Sequence, residues 1–168
     1  MAIKVWRKEI EQEPLTGFVA EIGAEYLAME LVSDFIRPNG FTFFRIADIT
    51  GCEVPDPYND FLKDALRLKG FERLKSPDVD LTSTRTVLQS AGAISPLITI
   101  HSEIADPHVC FIGELISISK DEVSLRCITP AATWEEEHES YPLKHITRID
   151  IQGEYEEALL LVANSKKK

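Results

Sequence analysis

Basic residues are in short supply in this sequence: 18 Lys and Arg stand against 28 Asp and Glu, a formal net charge of −10 over 168 residues. Affinity for nucleic acid rests mainly on Lys and Arg neutralising phosphates, so that ligand is disfavoured and a basic protein partner is favoured. Cysteine is scarce as well. Cys52, Cys110 and Cys127 are an odd number without a CxxC spacing, which points to neither a disulfide framework nor a zinc knuckle and predicts reduced thiols. No apolar run approaches the length of a membrane span, and the start of the chain has no apolar signal segment. The expectation is a cytoplasmic protein with no membrane partner. A phosphate-binding Gly loop, HExxH, GxSxG and a dinucleotide fingerprint are all missing, so the sequence predicts no enzyme and implies no cofactor.

What is present is an internal repeat. Residues 17–32, GFVAEIGAEYLAMELV, return without a gap as residues 113–128, GELISISKDEVSLRCI. Gly17 meets Gly113, Val19 meets Leu115, Leu27 meets Val123, Met29 meets Leu125 and Val32 meets Ile128. The match extends on both sides. Strand-like alternation over residues 3–8 has its counterpart at 98–103. Phe44 aligns with Tyr141, Ile46 with Leu143, Thr50 with Thr147 and Val54 with Ile151, which predicts a late strand over 46–54 and another over 143–151. A helical period follows in each copy, with Leu62, Ala65, Leu66 and Leu68 answered by Tyr155, Ala158, Leu159 and Leu161; Gly70 stops the first helix. A copy of this size is a marginal folding unit by itself, so the two are expected to pack on each other.

Between the copies, residues 71–80 carry Pro77 and several charges and read as a linker. They lead to a helix that Asp80 or Ser83 can cap, with Leu81, Leu88 and Ala91 on one face and Gly92 at its end. The predicted organisation is a first β unit with its helix over 1–70, a helical linker over 71–95, a second β unit with its helix over 96–164, and a disordered basic tail over 165–168. Five short, bent strands per copy suit a small barrel; the fold class expected is α+β, mainly β, with two tandem five-stranded SH3-like or Sm-like barrels. An isolated sheet with one buried face fits the alternation nearly as well.

The runs GFVAEIG, NGFTFFRIADIT, DPHVCFIGEL and ITRIDIQGEYEEALLLVA resemble a family of small bacterial proteins of uncharacterised function built from duplicated Sm-like β units. That resemblance implies a fold and no activity. It also raises an RNA-binding Sm-like module as an alternative, with Arg37, Asn39, Phe41 and Phe43 as the residues that would pair with and stack on bases. Sm proteins that bind RNA carry an Asp and Asn in one loop and an Arg-Gly pair in another. The corresponding turns here read Ile49-Thr50-Gly51-Cys52 and Ile146-Thr147-Arg148-Ile149, so the motif is missing from both copies.

Two other clusters bear on chemistry. Asp106, His108 and Cys110 fall on one face of a strand, but Pro107 makes the start of that run a turn and no second ligand pair accompanies it. Glu135, Glu136, Glu137, His138 and Glu139 lack the Gly turn and alternate ligands of a calcium loop, and read as a solvated acidic loop. Beside them Trp134 supplies the kind of apolar anchor that interfaces favour. The functional expectation is a non-catalytic, acidic protein-binding module, of the kind an immunity protein or antitoxin would be, meeting a basic partner through Trp134, Glu135, Glu136, Glu137, Glu139 and Tyr141. A scaffold that forms a homodimer or ring through open sheet edges is a further alternative.

Overall fold

A computed structural model of the chain describes residues 1–166. The strands are β1 (Ala2–Arg7), β2 (Glu11–Ile22), β3 (Tyr26–Val32), β4 (Pro38–Arg45) and β5 (Gly51–Glu53) in the first copy. The second copy has β6 (Ile98–His101), β7 (Cys110–Ile118), β8 (Glu122–Cys127), β9 (Glu139–Pro142) and β10 (Arg148–Ile151). Helix α1 (Asn59–Leu68) closes the first copy, α2 (Thr84–Ile94) lies between the copies, and α3 (Glu154–Ser165) closes the second. The late strands are shorter than the alternation suggests. A 3-10 turn occupies Ile46–Asp48, and its repeat partner Leu143–His145 does the same.

The strands form one antiparallel, ten-stranded open sheet in the order β5-β1-β2-β3-β4-β10-β6-β7-β8-β9. This corrects the expected pair of closed barrels joined by a helical linker. In each copy the fifth strand pairs with its own first strand, so a barrel would close only if β4 also bonded β5. That edge of β4 is instead taken by β10 of the second copy, with Ile149 opposite Phe43 and Ile151 opposite Phe41. β4 is apolar on both faces, which suits a central strand. Phe44 joins Ile3, Val5, Leu27 and Met29 on one side. Phe41 and Phe43 join Ile149, Ile151, Ile98 and Ile100 on the other.

The repeat shows in the details of the sheet. The β2–β3 register slips between Val19 and Glu21, and the β7–β8 register slips at the equivalent place between Leu115 and Ser117. Such bulges add bend and twist to a sheet. A Cβ on Gly17 would stand 2.3 Å from the Glu30 carbonyl oxygen, and one on Gly113 would stand 2.5 Å from that of Arg126. The paired glycines therefore exist for close strand approach.

The segment between the copies belongs to the core. Glu30 accepts hydrogen bonds from the Arg73 guanidinium and from the Leu74 amide, tying down the chain after α1. Tyr26 N–H donates to the Leu81 carbonyl. Ser83, rather than Asp80, caps α2 through the Thr86 amide in a reciprocal box. Val87, Leu88 and Ala91 of α2 are buried against residues of both copies. Gly92 does not end this helix; a Cβ there would meet the Leu115 side chain at 2.4 Å, so it is the point where α2 lies closest to β7. Helix α1 covers Ala2 and Phe18 with Leu62 and Leu66, and α3 covers Leu97 and Ile128 with Leu159 and Ala163. Within the expected tail, Ser165 ends α3 and Lys166 Nζ donates to the Ala131 carbonyl at 2.5 Å, while residues 167 and 168 lie outside the described residues.

Candidate protein-binding edge

After β8 the chain turns through Ala132, whose φ is +53°, and returns at Trp134, which bridges to Ile128. Trp134 is half-buried against the Ile128, Ala132 and Leu159 cluster, with the Arg126 guanidinium 5.3 Å from its ring centroid. Arg126 Nε also donates to the Glu135 carbonyl at 3.2 Å, and the Glu135 amide donates to the Cys127 carbonyl at 3.0 Å. Residues 134 and 135 are therefore fixed to the sheet. Beyond them Glu136, Glu137, His138 and Glu139 are exposed, and among the described residues no group of three His, Cys, Asp or Glu is placed to hold a metal ion.

Tyr141 lies elsewhere than a partner-contacting residue would. It is buried, its ring centroid is 4.4 Å from that of Phe111, and its hydroxyl donates to the Glu139 carboxylate at 2.6 Å. The Cys127 thiol, 3.3 Å from the Tyr141 hydroxyl oxygen, can then donate to that oxygen. Burial, followed by the bonds to Cys127 and Glu139, pushes the phenol pKa far up. Tyr141 thus orients Glu139 from below.

β9 is the last strand of the sheet and, among the described residues, pairs only with β8. Leu143 N–H donates to the Asp121 carbonyl at 2.8 Å. In an antiparallel ladder that parity turns the backbone groups of Tyr141 and Glu139 toward β8 and those of Ser140 and Pro142 outward. The close Ser124–Ser140 hydroxyl contact, 2.8 Å, fits a non-hydrogen-bonded pair. The open edge thus presents the Ser140 N–H and C=O and the Pro142 C=O, with three glutamates beside them.

The residues of the RNA alternative come together differently. Phe41 and Phe43 are core residues, 1% and 0% exposed, and so have no ring face to offer a base. Asn39 Oδ1 accepts the Glu154 amide at 2.9 Å, and Arg37 pairs with the Glu154 carboxylate at 3.7 Å. Arg37 and Asn39 thus hold the start of α3 against the chain at β4, while Phe41 and Phe43 pack on β10 and β6 of the second copy. Asp106 accepts the His108 amide at 2.9 Å in an exposed turn, leaving Cys110 as the first residue of β7 opposite His101.

A buried polar network escaped the sequence reading. Arg7 Nη1 and Nη2 donate to the two carboxylate oxygens of Glu103 at 2.8 and 2.9 Å, and Nη2 also reaches Glu11 at 3.0 Å. Thr147 Oγ1 donates to Glu103 at 2.6 Å. Nearby, Asp150 takes Arg148 at 2.8 Å and His101 Nε2 at 2.9 Å. Burial by itself would raise both carboxyls. For Glu103, hydrogen bonds from Arg7 and Thr147 outweigh it; for Asp150, the Arg148 charge and the His101 bond do, so both ionise below the usual carboxylate range. Burial opposes the Arg148 charge, but Asp150 more than compensates and raises its pKa. With every charge engaged by a neighbour, this network holds the curled sheet together, joining β1 to the turn after β6. One signal for it was available: Arg7 falls in register with Ile3 and Val5, which marks an inward-facing charge.

Among the described residues, no helix is long and apolar enough to cross a membrane. Comparison with family models, curated proteins and solved structures gave no match, so the functional reading rests on this edge and its chemistry alone.

Proposed function

We propose that this chain is a non-catalytic protein-binding module that uses the acidic segment beyond Trp134 to cover a basic surface of a partner protein. The observation that carries the reading is the position of Glu136, Glu137 and Glu139. Glu136 and Glu137 are exposed in the bend that leads into β9 and Glu139 is the exposed first residue of that terminal strand, whose outer backbone groups have no strand partner among the described residues, in a chain of net charge −10. Fixed backbone at Trp134 and Glu135 limits the ordering cost of presenting those carboxylates. Electrostatic capture of this kind speeds encounter and selects partners by charge. An inhibitor that covers the basic active site of a toxin, as an immunity protein or antitoxin does, is the partnership such a surface suits.

The test is affinity capture from lysate with the wild-type chain and with Glu136→Lys/Glu137→Lys, two exposed positions. The expected result is a basic protein retained by the wild type, released as salt rises, and lost on charge reversal. The same proteins captured by both chains, with no salt dependence, would overturn the reading.

A further inference from the structure

The joint between the copies is a template for what the open edge accepts. Within the chain, β10 lies antiparallel on β4, with Phe43 opposite Ile149 and Thr42 opposite Asp150. Ile46 N–H donates to the Glu25 carbonyl, so alternate β4 residues, Phe43 among them, turn their backbone groups toward β10. Through the repeat that aligns Phe44 with Tyr141, β9 is the counterpart of β4: Ser140 stands for Phe43 and Glu139 for Thr42. β5 is likewise the counterpart of β10, with Cys52 for Ile149 and Glu53 for Asp150. The same pairing mode that joins the copies is therefore available once more, at β9.

A second copy of this chain is the first occupant to consider, since its β5 has the matching place in the repeat. Transferring the internal register puts Glu53 of that copy directly opposite Glu139, and like charges facing each other across a ladder are destabilising. β5 is also only three residues long. The internal joint, in contrast, carries the Arg37–Glu154 ion pair and an Arg148 hydrogen bond to Thr42. Charge therefore disfavours the self-pairing that the repeat would otherwise allow.

Resting on the function proposed above, we infer that the partner binds by strand addition: an extended basic segment pairs antiparallel with β9, exchanges both backbone hydrogen bonds with Ser140, and places Lys or Arg opposite Glu139. Tyr141 holds the Glu139 carboxylate at that position. Glu136 and Glu137 meet further basic residues beyond the end of the paired strand. Pro142 offers only a carbonyl, which limits the ladder to a short stretch and leaves charge to set the specificity.

The probe is a synthetic peptide of this chain's own residues 147–152 carrying Asp150→Lys, titrated into the full chain with backbone amide shifts followed by NMR. Shifts centred on residues 138–142 are expected, with affinity at least about tenfold above that of the unsubstituted peptide, which places Asp opposite Glu139. N-methylation of the peptide nitrogen at the Ile149 position, which removes the donor to Ser140, abolishes binding. Glu139→Gln in the protein, which keeps an acceptor for Tyr141, erases the preference for Lys. If the N-methylated peptide binds as well as its parent while Glu136→Lys/Glu137→Lys weakens both, strand addition is wrong and charge capture stands. If the Lys peptide binds nowhere, or if the free chain sediments as a dimer held by β9, the inference is overturned.

Discussion

Replacing Glu103 by Gln removes one negative charge from beneath a guanidinium that is 1% exposed, and the structure sets how much that costs. Arg7 already leaves its Nε without a partner. Its two terminal nitrogens rely on Glu103, itself only 7% exposed, and on the more open Glu11. Glu103→Gln keeps the shape and one acceptor, but it leaves a buried cation, whose desolvation was offset by a bidentate pair, with the more open Glu11 as its one anionic partner. Breaking one side of such a pair costs about 3–5 kcal/mol, a large share of a total stability on the order of 5–15 kcal/mol. For a chain of this size each kcal/mol is worth roughly 2–4 °C in Tm, so a drop of at least about 6 °C is expected. Urea unfolding followed through Trp6 in the first copy and Trp134 in the second measures the loss and shows whether the copies unfold together. Arg7→Met/Glu103→Leu is the decisive companion, because replacing both partners by apolar groups removes the stranded charge and recovers most of the stability. A loss below about 1 kcal/mol for Glu103→Gln, or a double variant no better than the single, would refute the reasoning that this pair clamps β1 to the second copy.

Acidification tests the same network from the other side: Glu103 and Asp150 ionise below the ordinary carboxylate range when folded, so their contribution is fully present above the unfolded values near pH 4 and is lost as the pH falls through the depressed folded ones. The urea midpoint should hold from about pH 7 to 5 and drop below about pH 4, and Asp150→Asn should make that drop shallower; an unchanged slope would remove Asp150 from the account. Gly17→Ala forces a Cβ against the Glu30 carbonyl and should cost about 1–3 kcal/mol by thermal unfolding. Gly51→Ala, whose Cβ finds nothing nearer than the Trp6 side chain at 3.8 Å, should stay within about 0.5 kcal/mol of wild type.

The repeat made the elements legible but not the architecture. Alternation in Tyr26–Val32 and Glu122–Cys127 locates strands and their inner faces. It says nothing of which edge finds which partner, because strand pairing across more than a hundred residues is a tertiary choice. The clue lay in Phe41, Phe43 and Phe44, apolar on both faces as a strand covered on both sides must be, whereas the matching stretch of the second copy reads His138, Ser140 and Tyr141. One strand is central and its counterpart is an edge. Tyr141 was legible too, since its repeat partner Phe44 is a core residue. The acidic loop was visible as charge alone. Its placement along an open ladder depends on β4 having already been occupied by β10, which no local pattern encodes.

Phe43 and Ser140 occupy equivalent places in the two copies, one facing β10 and the other facing solvent, so their backbone amides separate the two halves of the account. Native-state hydrogen exchange on the free chain should find the Phe43 amide exchanging only with global unfolding and the Ser140 amide exchanging orders of magnitude faster. Equal protection at the two positions would mean that β9 is already paired, and the open acidic edge on which the proposed function rests would not exist.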